Sequence, residues 1–179
     1  MSPEIVLSFN GGHLRPLKTK DIHDGYISGL NDREVNRYLE VRHTVQTEQS
    51  VFKFVQDNQQ ANDAVLFGIW RDGAQSHCGT LRLHGIEQST GRAHIGVCIF
   101  DKSAWGHRIG SKAIASVTKW AISHLNMRDI EAGAYAENIA SQKAFLCAGY
   151  EWRCDIPGKF VYEGKPTVVK IYVARKAAN

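Results

Sequence analysis

No stretch of this 179-residue chain stays apolar for the roughly 20 residues that a membrane crossing requires. Its first residues, Met1 to Phe9, lack the basic start and apolar run of a secretory signal, so a cytoplasmic location is expected. There are four cysteines, Cys78, Cys98, Cys147 and Cys154, without the paired spacing of a metal knuckle. They are expected to be buried free thiols, and no metal site is expected. Lys and Arg exceed Asp and Glu by 22 to 18, a formal net charge of +4, yet the basic residues are scattered rather than clustered with aromatics. That distribution argues against a nucleic-acid surface and suits a small anionic ligand. No repeat, low-complexity tract or acidic tail interrupts the chain.

What is present is a moderately apolar chain, 43% hydrophobic and 22% charged, of a length that makes one domain spanning 1–179. Periodicity divides it. Leu14 to Lys18 reads as a strand, followed by a helical pair over Asp21 to Leu30 and Asp32 to Leu39. Thr47 is a plausible N-cap for a helix ending near Gln60. Ala64 to Arg71, Cys78 to Ile86 and Ala93 to Phe100 form an antiparallel meander with turns at Asp72-Gly73 and Ser89 to Gly91. The third strand is apolar enough to be buried on both faces. A strong helix carries the stripe Ile109, Ala113, Ile114, Val117, Trp120, Ala121 and Leu125. Asp129 to Tyr135 is the next strand, and Asn138 opens a helix that Gly149 stops. Trp152 to Val161 and Thr167 to Ala174 close the chain as a hairpin around Glu163-Gly164-Lys165. The fold class is α/β (α+β): a mixed sheet of six or seven strands flanked by helices, with a right-handed crossover through the helix that follows Gly106.

The segment Asp101 to Lys112 places a strand end, a glycine-bearing turn and a helix start in succession. Amides in the first turn of a helix lack intrahelical partners and carry the positive end of the dipole, which suits a pyrophosphate. Gly106 and Gly110 permit close approach to the backbone, while Lys102, His107, Arg108 and Lys112 are candidate donors.

This order of elements resembles the GCN5-related N-acetyltransferase family from about Leu14 to Val173, giving a core of about 14–174. Two motifs carry the resemblance. The run Trp105, Gly106, His107, Arg108, Ile109, Gly110 is similar to the family's signature Gln/Arg-x-x-Gly-x-Gly/Ala, with the Trp-Gly opening of the branch that resembles ribosomal-protein N-acetyltransferases. The run from Asn138 through Ser141 to Gly149-Tyr150 is similar to that branch's Asn-x-x-Ser ending in Gly-Phe/Tyr. Arg108 departs from the signature by standing at its first glycine, and Phe145 stands where many relatives have a tyrosine that returns a proton to the departing thiolate.

The resemblance implies an acetyl-CoA-dependent N-acetyltransferase acting directly on a primary amine, such as that of a nucleotide-linked amino sugar or a peptide N-terminus. It implies backbone contacts to the cofactor from Val97, Cys98 and Ile99. Further cofactor contacts are implied for Trp105, Gly106, His107, Arg108, Ile109, Gly110, Ser111, Asn138, Ser141 and Phe145. Ser141 is then the candidate for stabilising the thiolate. The amine must be neutral to attack, and His94 is the candidate base, with a satisfied strand histidine as its bland alternative; Glu40 is the other candidate. The stretch containing Tyr38, Glu40 and Arg42 lies where the family builds its acceptor site. Homodimers are common in the family. The rival reading is a CoA-binding module without catalysis, and a mononucleotide-binding domain is disfavoured because the units do not alternate as parallel βαβ.

Overall fold

The computed structural model describes residues 5–162 and 164–177. Eight strands form one sheet: β1 (Leu7–Phe9), β2 (Gly12–Pro16), β3 (Ala64–Arg71), β4 (Gly79–Glu87), β5 (Arg92–Ile99), β6 (Asp129–Tyr135), β7 (Glu151–Tyr162) and β8 (Lys165–Arg175). Their spatial order is β1-β2-β3-β4-β5-β6-β8-β7, one strand more than the upper expectation. The addition is β1, three residues paired with β2 across a turn at Gly11. It is too short to show a period. The closing hairpin is as expected, with Gly164 at φ 77; Glu163 lies outside the described residues.

The helices are α1 (Asp24–Asn31), α2 (Arg33–Asn36), α3 (Glu48–Gln60), α4 (Ile109–His124) and α5 (Ile139–Cys147), with 3-10 turns at Thr19–Asp21, Glu40–His43 and Lys102–Ala104. None is long and apolar enough to cross a membrane. The expected helical pair near the start is shorter than its pattern, because Asp32 is extended and its carboxylate caps the amides of Glu34 and Val35. Thr47 and Ser50 cap α3 reciprocally, at 3.1 and 2.9 Å.

One face of the sheet buries the α4 stripe of Ile109, Ala113, Ile114, Val117 and Ala121 against Leu81, Leu83, Ile95 and Ile130. Each such Ile or Val contributes about 1.5–3 kcal/mol relative to exposure. The other face packs Tyr26, Leu30, Val51 and Val55 against Leu66, Trp70 and Phe100. Two expectations are corrected. β5 is not buried on both faces: Ala93 and Ile95 are buried while His94 and Gly96, on the opposite face, are exposed. The cysteines are free, but only Cys78 is fully buried; Cys147, in the last turn of α5, and Cys154, on the edge strand β7, are exposed.

Among the described residues β5 and β6 form the only parallel pairing, and it lasts three residues: Arg92↔Asp129, Ala93↔Ile130 and His94↔Glu131. Beyond that point β5 stays with β4 as far as Ile99, and β6 stays with β8 as far as Tyr135. The sheet therefore opens into a wedge towards the C-terminal ends of both strands. The turn containing Gly106 follows one lip, and the turn containing Asn138 follows the other.

Candidate active site

On the first lip, Val97, Cys98 and Ile99 lie beyond the last β5–β6 pair, which leaves their backbone edge turned to the wedge. The Cys98 thiol is pushed up to about 12 by burial, so it stays protonated at neutral pH and is no nucleophile. A Cβ at Gly96 would meet nothing within 4 Å. The carbonyl of Ile99 accepts from Trp105 Nε1 at 2.8 Å, which fixes a half-exposed indole against the end of the strand.

The turn itself is built by Asp101, whose carboxylate accepts from the Ser103 amide at 2.9 Å and its hydroxyl at 2.6 Å. Gly106 (φ 80) and Arg108 (φ 58) both adopt left-handed conformations, and the second is a cost of about 1–2 kcal/mol for a residue with a Cβ. The first i→i−4 bond of α4 is Lys112 N–H to Arg108 at 3.1 Å, so the amides of Ile109, Gly110 and Ser111 stand ahead of the ladder. A Cβ at Gly110 would come within 3.6 Å of Ile99, and one at Gly106 would meet nothing within 4 Å. His107 and Arg108 are exposed beside these amides. The side chains of Ile109 and Ser111 are buried, and the Ser111 hydroxyl donates to the Arg108 carbonyl, so these two residues offer main chain only. Lys102 and Lys112 each have a protein partner. Lys102 pairs with Asp32 and Glu34, both at 2.8 Å, and Lys112 donates to the Asn10 carbonyl at 2.8 Å. Both ammonium groups tie the turn and α4 to neighbouring segments.

On the second lip, Asn138 Oδ1 accepts from the Ser141 amide at 3.1 Å, capping α5. Gln142 donates to the carbonyls of Tyr135 and Ala136, holding the turn against the strand. Ser141 is half-buried, and its hydroxyl bonds to no other described residue. Phe145 corrects its expectation: it is 1% exposed, packed against Tyr150 and Tyr172, and offers no surface to a ligand.

The segment from Arg37 to His43 lies over the mouth of the wedge. It is anchored by Asn31, which exchanges hydrogen bonds with the backbone of Gln46, and by buried Asn36, which donates to the Leu30 carbonyl. Tyr38 donates to the Glu137 carbonyl at 3.1 Å and packs at a tilt against Tyr162, with ring centroids 5.1 Å apart. Glu40 accepts from the Tyr135 hydroxyl, and Arg42 donates to Glu40 at 3.2 Å and to the Val161 carbonyl at 2.9 Å. Tyr38, Glu40 and Arg42 are thus brought together. Sequence reasoning missed Tyr135, Glu137, Phe160 and Tyr162, which complete this end; the aromatic content of the last hairpin was the one available signal.

His94 stands apart. It sits at the last paired position of the wedge, exposed, stacked on His84 at 5.6 Å and 3.8 Å from Glu131.

The family model described as an acetyltransferase (GNAT) domain matches residues 13–151. The chain belongs to this family. The acetyltransferase is 26% identical over 162 residues to a Bacillus subtilis protein named as the uncharacterized N-acetyltransferase YoaA, a match covering 89% of this chain and 90% of that one. Among solved structures it is similar to RimL, a ribosomal L7/L12 alpha-N-protein acetyltransferase in complex with coenzyme A. That match has a TM-score of 0.80 at 18% identity, covering 96% of this chain and 98% of the other. It is also similar to a Vibrio cholerae spermidine N-acetyltransferase in complex with CoA and spermine, with a TM-score of 0.82 at 17% identity and coverages of 93% and 96%. The acetyltransferase uses acetyl-CoA, and the wedge suits it: an open backbone edge, a helix N-terminus and two left-handed turn residues give an anionic, extended molecule donors without side-chain obstruction.

Proposed function

We propose that this acetyltransferase acetylates a primary amine presented between the segment at Tyr38 to Arg42 and the second lip, the amine belonging to a nucleotide-linked amino sugar or a peptide N-terminus. The observation that carries the reading is the wedge, with both motif turns on its lips and a polar, aromatic segment across its mouth. The bound thioester supplies an activated acyl group. The backbone of Val97, Cys98 and Ile99 holds the extended arm by strand-like hydrogen bonds, while the leading amides of α4, with His107 and Arg108, receive the pyrophosphate. Asn138 adds an amide donor to its capping role, and Ser141 directs its hydroxyl to the leaving sulfur. Two groups, His94 at the closed end and Glu40 at the open end, compete as the base.

One structural neighbour is an alpha-N-protein acetyltransferase and another a spermidine N-acetyltransferase, so both amine types belong in the test. Free CoA thiol is measured from acetyl-CoA against nucleotide-linked amino sugars, peptides with free N-termini, polyamines and aminoglycosides. Release with one class is expected. A second reading, a CoA-binding module without turnover, is favoured by Phe145, which lacks a hydroxyl and is buried. Binding of acetyl-CoA with no thiol released on any class would establish it.

A further inference from the structure

Glu40 and Tyr135 are 95 residues apart in sequence, yet the tyrosine hydroxyl donates to Glu40 Oε1 at the mouth of the wedge. We propose that these two residues form the proton-accepting unit for the acceptor amine: Glu40 takes the proton, and Tyr135 is the positioning residue that fixes its carboxylate at the end of β6. The inference rests on the function proposed above and chooses between the two bases left open there.

Three observations support it. First, the two oxygens of Glu40 differ: Oε1 is held by Tyr135 and, at 3.2 Å, by Arg42, whereas Oε2 bonds to no other described residue, on a side chain 56% exposed. One oxygen is oriented and the other can accept. Second, the clamp is rigid. Arg42 is tied to the carbonyls of Leu39 and Val161, and the Tyr135 ring is buried against Phe160 and Tyr38. Third, Tyr135 ends the lip from which the Asn138–Ser141 turn springs, with its own carbonyl held by Gln142. His94 has no such placement, lying at the closed end of the wedge beside Glu131. Burial and the hydrogen bond to Glu40 raise the Tyr135 hydroxyl above its usual range, so the tyrosine keeps its proton and serves as a fixed donor.

The acceptor ammonium gives one proton to Glu40 Oε2, and the freed nitrogen bonds to the acyl carbon. The carbon–sulfur bond breaks with its electron pair on sulfur, and a second N–H proton ends on that sulfur. Glu40, being exposed, returns its proton to water. Ammonium and thioester become amide, thiol and one proton.

A nucleophile that is already uncharged needs no such base. The test compares spermidine and a dipeptide with a free N-terminus, both protonated at neutral pH, with hydroxylamine, which is largely neutral there. Glu40→Gln is expected to lower transfer to the protonated amine about 100-fold and Tyr135→Phe about tenfold, with transfer to hydroxylamine and acetyl-CoA affinity within about threefold of the parent. Tyr135→Phe keeps the ring and hence the packing, which guards against misfolding. Equal losses on both nucleophiles would assign the pair a structural role and overturn the proposal; so would unchanged transfer in both variants. A parent protein that binds acetyl-CoA but transfers to no amine class of the panel above and not to hydroxylamine overturns the catalytic reading and the proposal together, whereas activity retained in Glu40→Gln with full loss in His94→Gln on protonated amines alone overturns the proposal only.

Discussion

The indole Nε1–H of Trp105 donates to the carbonyl of Ile99 at 2.8 Å, binding the last residue of β5 to the turn that precedes α4. Strand edge and helix N-terminus are thereby held at one spacing. A cofactor that contacts both at once gains from this, because less ordering remains to be done on binding.

Trp105→Phe removes the donor and keeps most of the ring. Acetyl-CoA affinity, measured by calorimetry, is expected to fall about five- to tenfold, the equivalent of one hydrogen bond of about 1 kcal/mol. Unchanged affinity would show that the turn is held by the Asp101 network alone.

Arg108 separates two effects of opposite sign. Glycine adopts φ 58 without the Cβ penalty, so Arg108→Gly is expected to hold or raise the melting temperature while weakening acetyl-CoA binding through loss of the guanidinium. Scanning calorimetry with and without the cofactor reads both. An affinity equal to the parent would remove Arg108 from the pyrophosphate site.

Ser141 donates its amide to Asn138 whatever its side chain is, so Ser141→Ala leaves the cap intact. Turnover is expected to fall about tenfold or more with cofactor affinity little changed, as for a group that acts on the leaving sulfur. Steady-state kinetics beside a binding titration decides, and unaltered turnover would make the hydroxyl a bystander.

His77 predicts an acid limb in stability. It is 2% exposed, among His23, Tyr26, Trp70 and Phe100, and both ring nitrogens lack a hydrogen-bond partner among the described residues. Burial, and then the neighbouring His23, push its pKa from 6.5 down to about 3. The unfolded chain takes up a proton that the folded chain refuses, so this contribution is complete above about pH 6.5 and declines as the pH falls towards 3. The slope from this one group is at most about 1.4 kcal/mol per pH unit. Urea unfolding from pH 7 to 4 is expected to show a shallower decline in His77→Phe than in the parent; identical slopes would assign the acid sensitivity to other groups.

Much of the fold is readable along the chain. The α4 stripe, the Thr47 and Asn138 caps and the Gly149 stop are local signals, decided by residues three or four apart, and each stands where its pattern places it. β1 escapes because three residues carry no period, and the exposed face of β5 at His94 and Gly96 escapes because Gly96 reads as apolar whichever side it occupies. In the site, charge type alone put Lys102 and Lys112 among the phosphate donors. Their actual partners, Asp32 with Glu34 and the Asn10 carbonyl, are 68 residues or more distant.

The sequence by itself determined the order of the elements, the two motif turns and the family, because caps, stripes and glycine-bearing turns depend on neighbours within a few residues. Only the tertiary structure decided that β6 leaves β5 after Glu131 to stay with β8, and so where the wedge opens. It also decided that Tyr135 meets Glu40 and that Phe145 turns into the core. Those outcomes depend on competition between distant strand pairings and on which side chains fill the space between packed layers, and neither is encoded in any short window of the chain.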